Sequence, residues 1–103
     1  MFGALKPMTK TQKLTHLAAE LLRKETFKPG DLVVWKDGMK NKKYPLYGEP
    51  FVVTAVLPEP IIDPEATAGN CYFREPLDIK LGLLDADGDF VEHHYDSRRF
   101  TLA

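Results

Sequence analysis

Hydrophobic residues recur at two different spacings along the chain, and the change of spacing divides it. Leu14, Leu17, Ala18, Leu21 and Leu22 fall at i, i+3, i+4, i+7 and i+8, which makes one apolar stripe on a helix spanning residues 9–25. Thr9 and Gln12 have capping-box spacing at its start, and Arg23 and Lys24 put cations against the negative end of its dipole. Residues 1–8, with Pro7 discouraging helix before it, read as a flexible tail. The stripe is expected to pack the helix on the rest of the domain.

From Phe27 onward the pattern is that of strands. "FKPGD" is a turn, and "LVVW", Leu32 to Trp35, is the β-branched and aromatic run of a first strand. A long loop broken by Gly38, Pro45, Gly48 and Pro50 follows. The second strand, Phe51 to Leu57, is apolar at nearly every position and is expected to be buried on both faces. The proline-rich segment from Pro58 to Pro76 reads as an irregular loop. Leu77, Ile79, Leu81 and Leu83 then alternate with Asp78, Lys80 and Gly82, one face inward and one outward. "DADG" supplies a tight turn, "DFVEHHY" the returning strand, "DSRRF" one helical turn, and "FTLA" a last strand. The fold class is mainly β with one N-terminal α-helix.

Composition narrows the class further. A chain of 103 residues is one domain with one modest core. Its single cysteine, Cys71, cannot form an internal disulfide, which suits a reducing compartment. No apolar run is long enough for a membrane helix and no signal-peptide pattern is present, so a cytoplasmic location is expected. The net charge of −1 conceals an asymmetry. Residues 1–50 carry ten Lys and Arg against five Asp and Glu, and residues 51–103 carry four against ten.

Five short strands with a long first loop, covering residues 27–103, resemble an SH3-like small barrel. The resemblance implies a barrel with the helix packed on it. Gly30, Asp31, Val33, Trp35 and Gly38 also resemble the KOW motif of ribosomal and transcription-factor barrels, with Lys42 or Lys43 and Gly48 matching after an insertion of about three residues. In that family the loop cations contact RNA or protein. Carried over, Lys40, Lys42 and Lys43 would meet phosphate, and Tyr44 and Tyr47 would stack on bases. Gly30-Asp31-Leu32-Val33 with Pro50-Phe51-Val52-Val53 resembles MazF-like ribonuclease toxins, but Glu49 stands where those place an arginine before the proline. A carboxylate there opposes phosphoryl-transfer chemistry, so an inactive relative is what this resemblance implies. "PGDLV-W" and "DGDFVE…DSRRF" resemble small uncharacterised bacterial and phage proteins.

No pattern for catalysis rises above these. Asp85, Asp87 and Asp89 have the first spacings of an EF-hand loop, but Phe90 replaces its glycine and Asp96 its glutamate, so a hairpin turn is expected. His93 and His94 are strand neighbours on opposite faces and cannot chelate one metal together. His94 shares a face with Glu92 and Asp96. Cys71 lies among Asp63, Glu65 and Glu75, which favour the thiol. No cofactor and no metal are expected.

The expected function is therefore a non-enzymatic binding or adaptor module for a protein partner. Its contact surface is expected in the Lys36–Tyr47 loop with the Arg98–Arg99 turn, anchored by Trp35, Lys36, Lys40, Lys42, Lys43, Tyr44, Tyr47, Tyr95, Arg98 and Arg99. Single-stranded RNA or DNA binding through the same loop is the alternative. Asp96 is placed to hold one of the arginines in a bidentate contact.

Overall fold

The computed structural model describes residues 9–62 and 75–103. Helix α1 (Lys10–Leu22) is followed by β1 (Leu32–Trp35), β2 (Phe51–Ile61), β3 (Leu77–Leu84), β4 (Phe90–Tyr95), a 3-10 turn (Ser97–Arg99) and β5 (Phe100–Leu102). The strands form one antiparallel sheet in the order β4-β3-β2-β1-β5, so β4 and β5 are its two ends. The chain is mainly β with a single N-terminal helix, as its periodicity indicates.

One face of the sheet carries the core. Val33 and Trp35 of β1, Phe51 and Val53 of β2, Ile79 and Leu81 of β3, Tyr95 of β4 and Phe100 of β5 are all buried, with Phe27 beside them. Trp35 stacks on Phe100 with ring centroids 4.3 Å apart, and Tyr95 meets Phe100 edge-on at 5.4 Å. These rings sit where β4 turns into β5, so aromatic packing fixes that corner.

The hairpin behaves as its alternation predicts. Leu84 pairs with Phe90 and Ile79 with Tyr95, and Asp85 accepts from the backbone N–H groups of Asp87 and Asp89, both at 2.9 Å. Gly88 takes a φ of 83°, the left-handed conformation that such a turn requires.

Three expectations are corrected. β2 is not buried on both faces: Phe51 and Val53 are buried, whereas Val56 is 47% exposed. It also runs through Pro58 and Pro60 to Ile61. Prolines are tolerated there because β1 reaches only Phe51 and Val52, which among the described residues leaves that side of β2 without a strand partner. The third correction concerns α1. It begins with the expected capping box, Gln12 N–H donating to Thr9 Oγ1 and Thr9 N–H to Gln12 Oε1. It ends at Leu22, with Arg23 as the C-cap. None of its residues is buried, and Leu14 and Leu22 stand about 70% exposed. Within the stripe only Leu17 and Leu21 are half-buried, and Leu17 meets Gly38 of the loop. The readings for residues 1–8 and for Cys71 lie outside the described residues.

Candidate binding surface

What attaches α1 is a lysine at the end of β1. Lys36 is buried, and its Nζ donates to the carbonyls of Glu20 at 2.5 Å and Arg23 at 2.8 Å. The Glu20 carbonyl, in the last turn, also accepts from Arg23 N–H at 3.2 Å, and Arg23 is the C-cap, whose carbonyl lies past the last intrahelical bond. Burial pushes the Lys36 ammonium below its ordinary pKa. Gly38, at a φ of 75°, brings the loop against the Leu17 side chain, which would have to shift to admit a Cβ.

The loop after Lys36 is held down at several points. Trp35 Nε1 donates to the carbonyl of Pro45, and Tyr95 Oη donates to that of Tyr44 at 3.1 Å. Lys40 N–H donates to Tyr47 Oη at 3.1 Å, and Arg99 Nη1 to the Met39 carbonyl at 3.1 Å. Burial raises the Tyr95 phenol to about 12.

Glu75 organises the cations around it. It is buried, accepts from Asn41 Nδ2 at 2.5 Å and Arg99 Nε at 3.2 Å, and lies 3.4 Å from Lys42 Nζ. The lysine loop and Arg99 thus do lie together, joined through a carboxylate. Arg98 is drawn elsewhere. Its Nε and Nη2 form the bidentate contact with Asp96 that the sequence suggests, at 3.0 and 2.8 Å. That hydrogen bond raises the Arg98 pKa. Asp78 ties the turn to β3 by accepting from Ser97 N–H and Oγ.

Of the expected contact residues, Trp35, Lys36 and Tyr95 are corrected. All three are buried and engaged inside the molecule, so none presents its side chain to a partner. Lys42, Arg98 and Arg99 are occupied by carboxylates. Lys43 lies over the Tyr44 ring at 5.6 Å, and Tyr44 and Tyr47 are about half exposed. His94 pairs with Lys80 and His93 with Leu81 across the sheet, and Asp96 is committed to the turn. Among the described residues, Asp85, Asp87 and Asp89 alone bring three possible metal-ligand atoms within 4.8 Å. Asp85 there serves as the acceptor of the hairpin turn.

An open apolar groove lies elsewhere, where β1 and β2 begin and the β3–β4 hairpin turns. It is a groove of about 860 Å³ lined by Leu32, Tyr44, Pro50, Val52, Leu84 and Phe90. Leu32, Tyr44, Leu84 and Phe90 are exposed by 51, 49, 68 and 58%, so the groove is open to solvent. Register explains part of it. Leu32 pairs with Val52, and Val52 with Gly82, so these positions form a row across the face away from the core. Gly82 leaves a gap in that row. Phe90 leans over it so closely that a Cβ at residue 82 would collide with its ring. The titratable side chains lining the groove are Glu49, Asp85 and His93; no lysine or arginine lines it among the described residues, although Lys43 lies over the Tyr44 ring.

The sequence reading missed this surface. One signal for it was present: Leu84 continues the outward face of Asp78, Lys80 and Gly82, where a leucine has no core to fill. No protein-family model matches the chain, and no curated protein or solved structure matches it. No helix among the described residues is long and apolar enough to cross a membrane.

Proposed function

We propose that the chain is a non-enzymatic binding module that takes an apolar segment of a protein partner in the groove at the hairpin end. The observation that carries this reading is the grouping of Leu32, Tyr44, Leu84 and Phe90 around one open trough. Contiguous exposed apolar surface costs solubility and marks interaction sites. An enclosed pocket that buried most of a small molecule would be the alternative for an apolar cavity, but half-exposed walls favour a chain laid along the surface.

The cations of the Lys36–Tyr47 loop fit a structural role better. Lys36 caps a helix, and Lys42 and Arg99 flank a buried carboxylate. Phosphate recognition needs cations that the fold has not already neutralised. Tyr44 belongs to both surfaces, and the loop contributes to binding through that ring.

An amide-resolved NMR titration tests the reading. The probe is a pool of blocked decapeptides with a four-residue core drawn from Leu, Val, Ile and Phe and serine on either side. Expected shifts centre on Leu32, Val52, Leu84 and Phe90. Shifts confined to Lys40–Tyr47 and Arg98–Arg99, or produced only by a single-stranded oligonucleotide, would contradict it.

A further inference from the structure

We infer that the occupant of this groove is an extended apolar segment flanked by lysine or arginine. This deepens the proposed function and rests on it. Three observations carry the inference.

The first is the sign of the charge around the groove. Glu49 and Asp85 line it, and Asp87 and Asp89 follow Asp85 in the hairpin turn. The three hairpin aspartates hold their carboxylates within 4.8 Å of one another, so their fields add. Against these four carboxylates stand His93 in the lining and Lys43 over the Tyr44 ring, so the balance around the groove is acidic. Such a rim repels phosphates and acidic peptides and attracts cationic side chains.

The second is the shape of the apolar floor. Phe90 and Leu84 stand opposite each other in the β3–β4 ladder, and Leu32 lies across the gap left by Gly82. The Phe90 ring fills that gap, so apolar side chains of a bound segment seat between Phe90 and Leu32, against Val52. The aromatic members, Tyr44 and Phe90, are the residue types that anchor interfaces.

The third is the sheet end beside it, which no further strand pairs among the described residues. Phe90 and Val91 line the groove and begin β4, which ends the sheet order. A strand at a sheet end offers backbone N–H and C=O groups to a further strand. A partner in extended form can use that edge while alternate side chains enter the groove. A helical partner would forgo these hydrogen bonds.

The test uses the intact protein and three peptide pools that share the apolar core described above. Their flanks are Lys-Lys, Ser-Ser or Glu-Glu on each side, and dissociation constants are measured at low and at physiological salt. The lysine-flanked pool is expected to bind about tenfold more tightly than the glutamate-flanked pool at low salt, and the gap is expected to narrow as salt rises. The variant Glu49→Gln/Asp87→Asn/Asp89→Asn tests the source of the gap. It retains Asp85, the turn's acceptor, and an amide oxygen at residue 49 for the Leu46 N–H bond. In that variant the difference between pools is expected to close while the serine-flanked affinity stays within about twofold.

Equal affinities of the three pools, with shifts at Leu84 and Phe90, would overturn the basic-flank inference and leave the groove reading intact. A preference for glutamate flanks would overturn it likewise. No shift at the groove with any pool would overturn both.

Discussion

Replacing Glu75 with alanine is expected to lower the unfolding free energy by about 3 kcal/mol, a large share of what a domain this size possesses. The carboxylate is buried and serves Asn41, Lys42 and Arg99 at once. Removing it takes from Lys42 and Arg99 the carboxylate that they share and leaves the two cations facing each other. Both side chains keep about a quarter of their surface exposed, so water recovers part of the loss. That places the effect near the lower end of the range for a broken buried ion pair. Urea unfolding measures it directly. The Glu75→Gln variant is expected to fall between, because it keeps an acceptor for Asn41 and loses the charge. A change below about 1 kcal/mol for the alanine variant would show that solvent, not Glu75, neutralises these cations.

Lys36→Met is expected to release α1 without unfolding the sheet. A helix of 13 residues is marginal alone in water, and this one contributes no buried residue. Its described attachments are few, the two carbonyl bonds to Lys36 Nζ and the contact of Leu17 with Gly38 prominent among them. Hydrogen bonds from a charged donor contribute about 1.5–3 kcal/mol each, and methionine keeps the stem while removing the donor. Amide exchange in α1 is expected to accelerate by about tenfold or more. Amides of Val33, Leu81 and Phe100 in the core are expected to keep their protection. Unchanged exchange in α1 would mean that the exposed stripe, rather than Lys36, seats the helix.

Much of the fold was legible because local chemistry and long-range packing agree there. Thr9 and Gln12 begin the helix, the Leu77–Leu83 alternation sets the hairpin face, and Asp96 holds Arg98 as its position suggests. The end of β2 was not legible. Pro58 and Pro60 forbid a central strand but not one with an unpaired side, and among the described residues β1 pairs with β2 only at Phe51 and Val52. The barrel is an implication of the resemblance to SH3-like proteins. What the chain builds is a five-stranded antiparallel sheet with β4 and β5 at its ends.

The candidate site was less legible for a related reason. Trp35 has the same strand parity as Val33, which places it inward, yet aromatic character alone suggested a contact anchor. Lys36 reads from sequence as a loop cation, since its partners are the carbonyls of Glu20 and Arg23. Those are revealed only when the helix end meets the strand end. The groove required the register of several strands before Leu32, Leu84 and Phe90 formed one surface.

The central claim is that the hairpin-end groove, and not the lysine loop, is the contact surface. The most direct measurement compares the affinity of the lysine-flanked peptide pool for the unmodified chain, for Leu84→Ser and for Lys40→Ala/Lys43→Ala. Leu84 is largely exposed, and neither lysine is an ion-pair partner of Glu75, so all three proteins are expected to fold. The account predicts a loss of about tenfold for Leu84→Ser and a change within about twofold for the lysine pair. Unchanged affinity in Leu84→Ser together with a large loss in the lysine variant would contradict it.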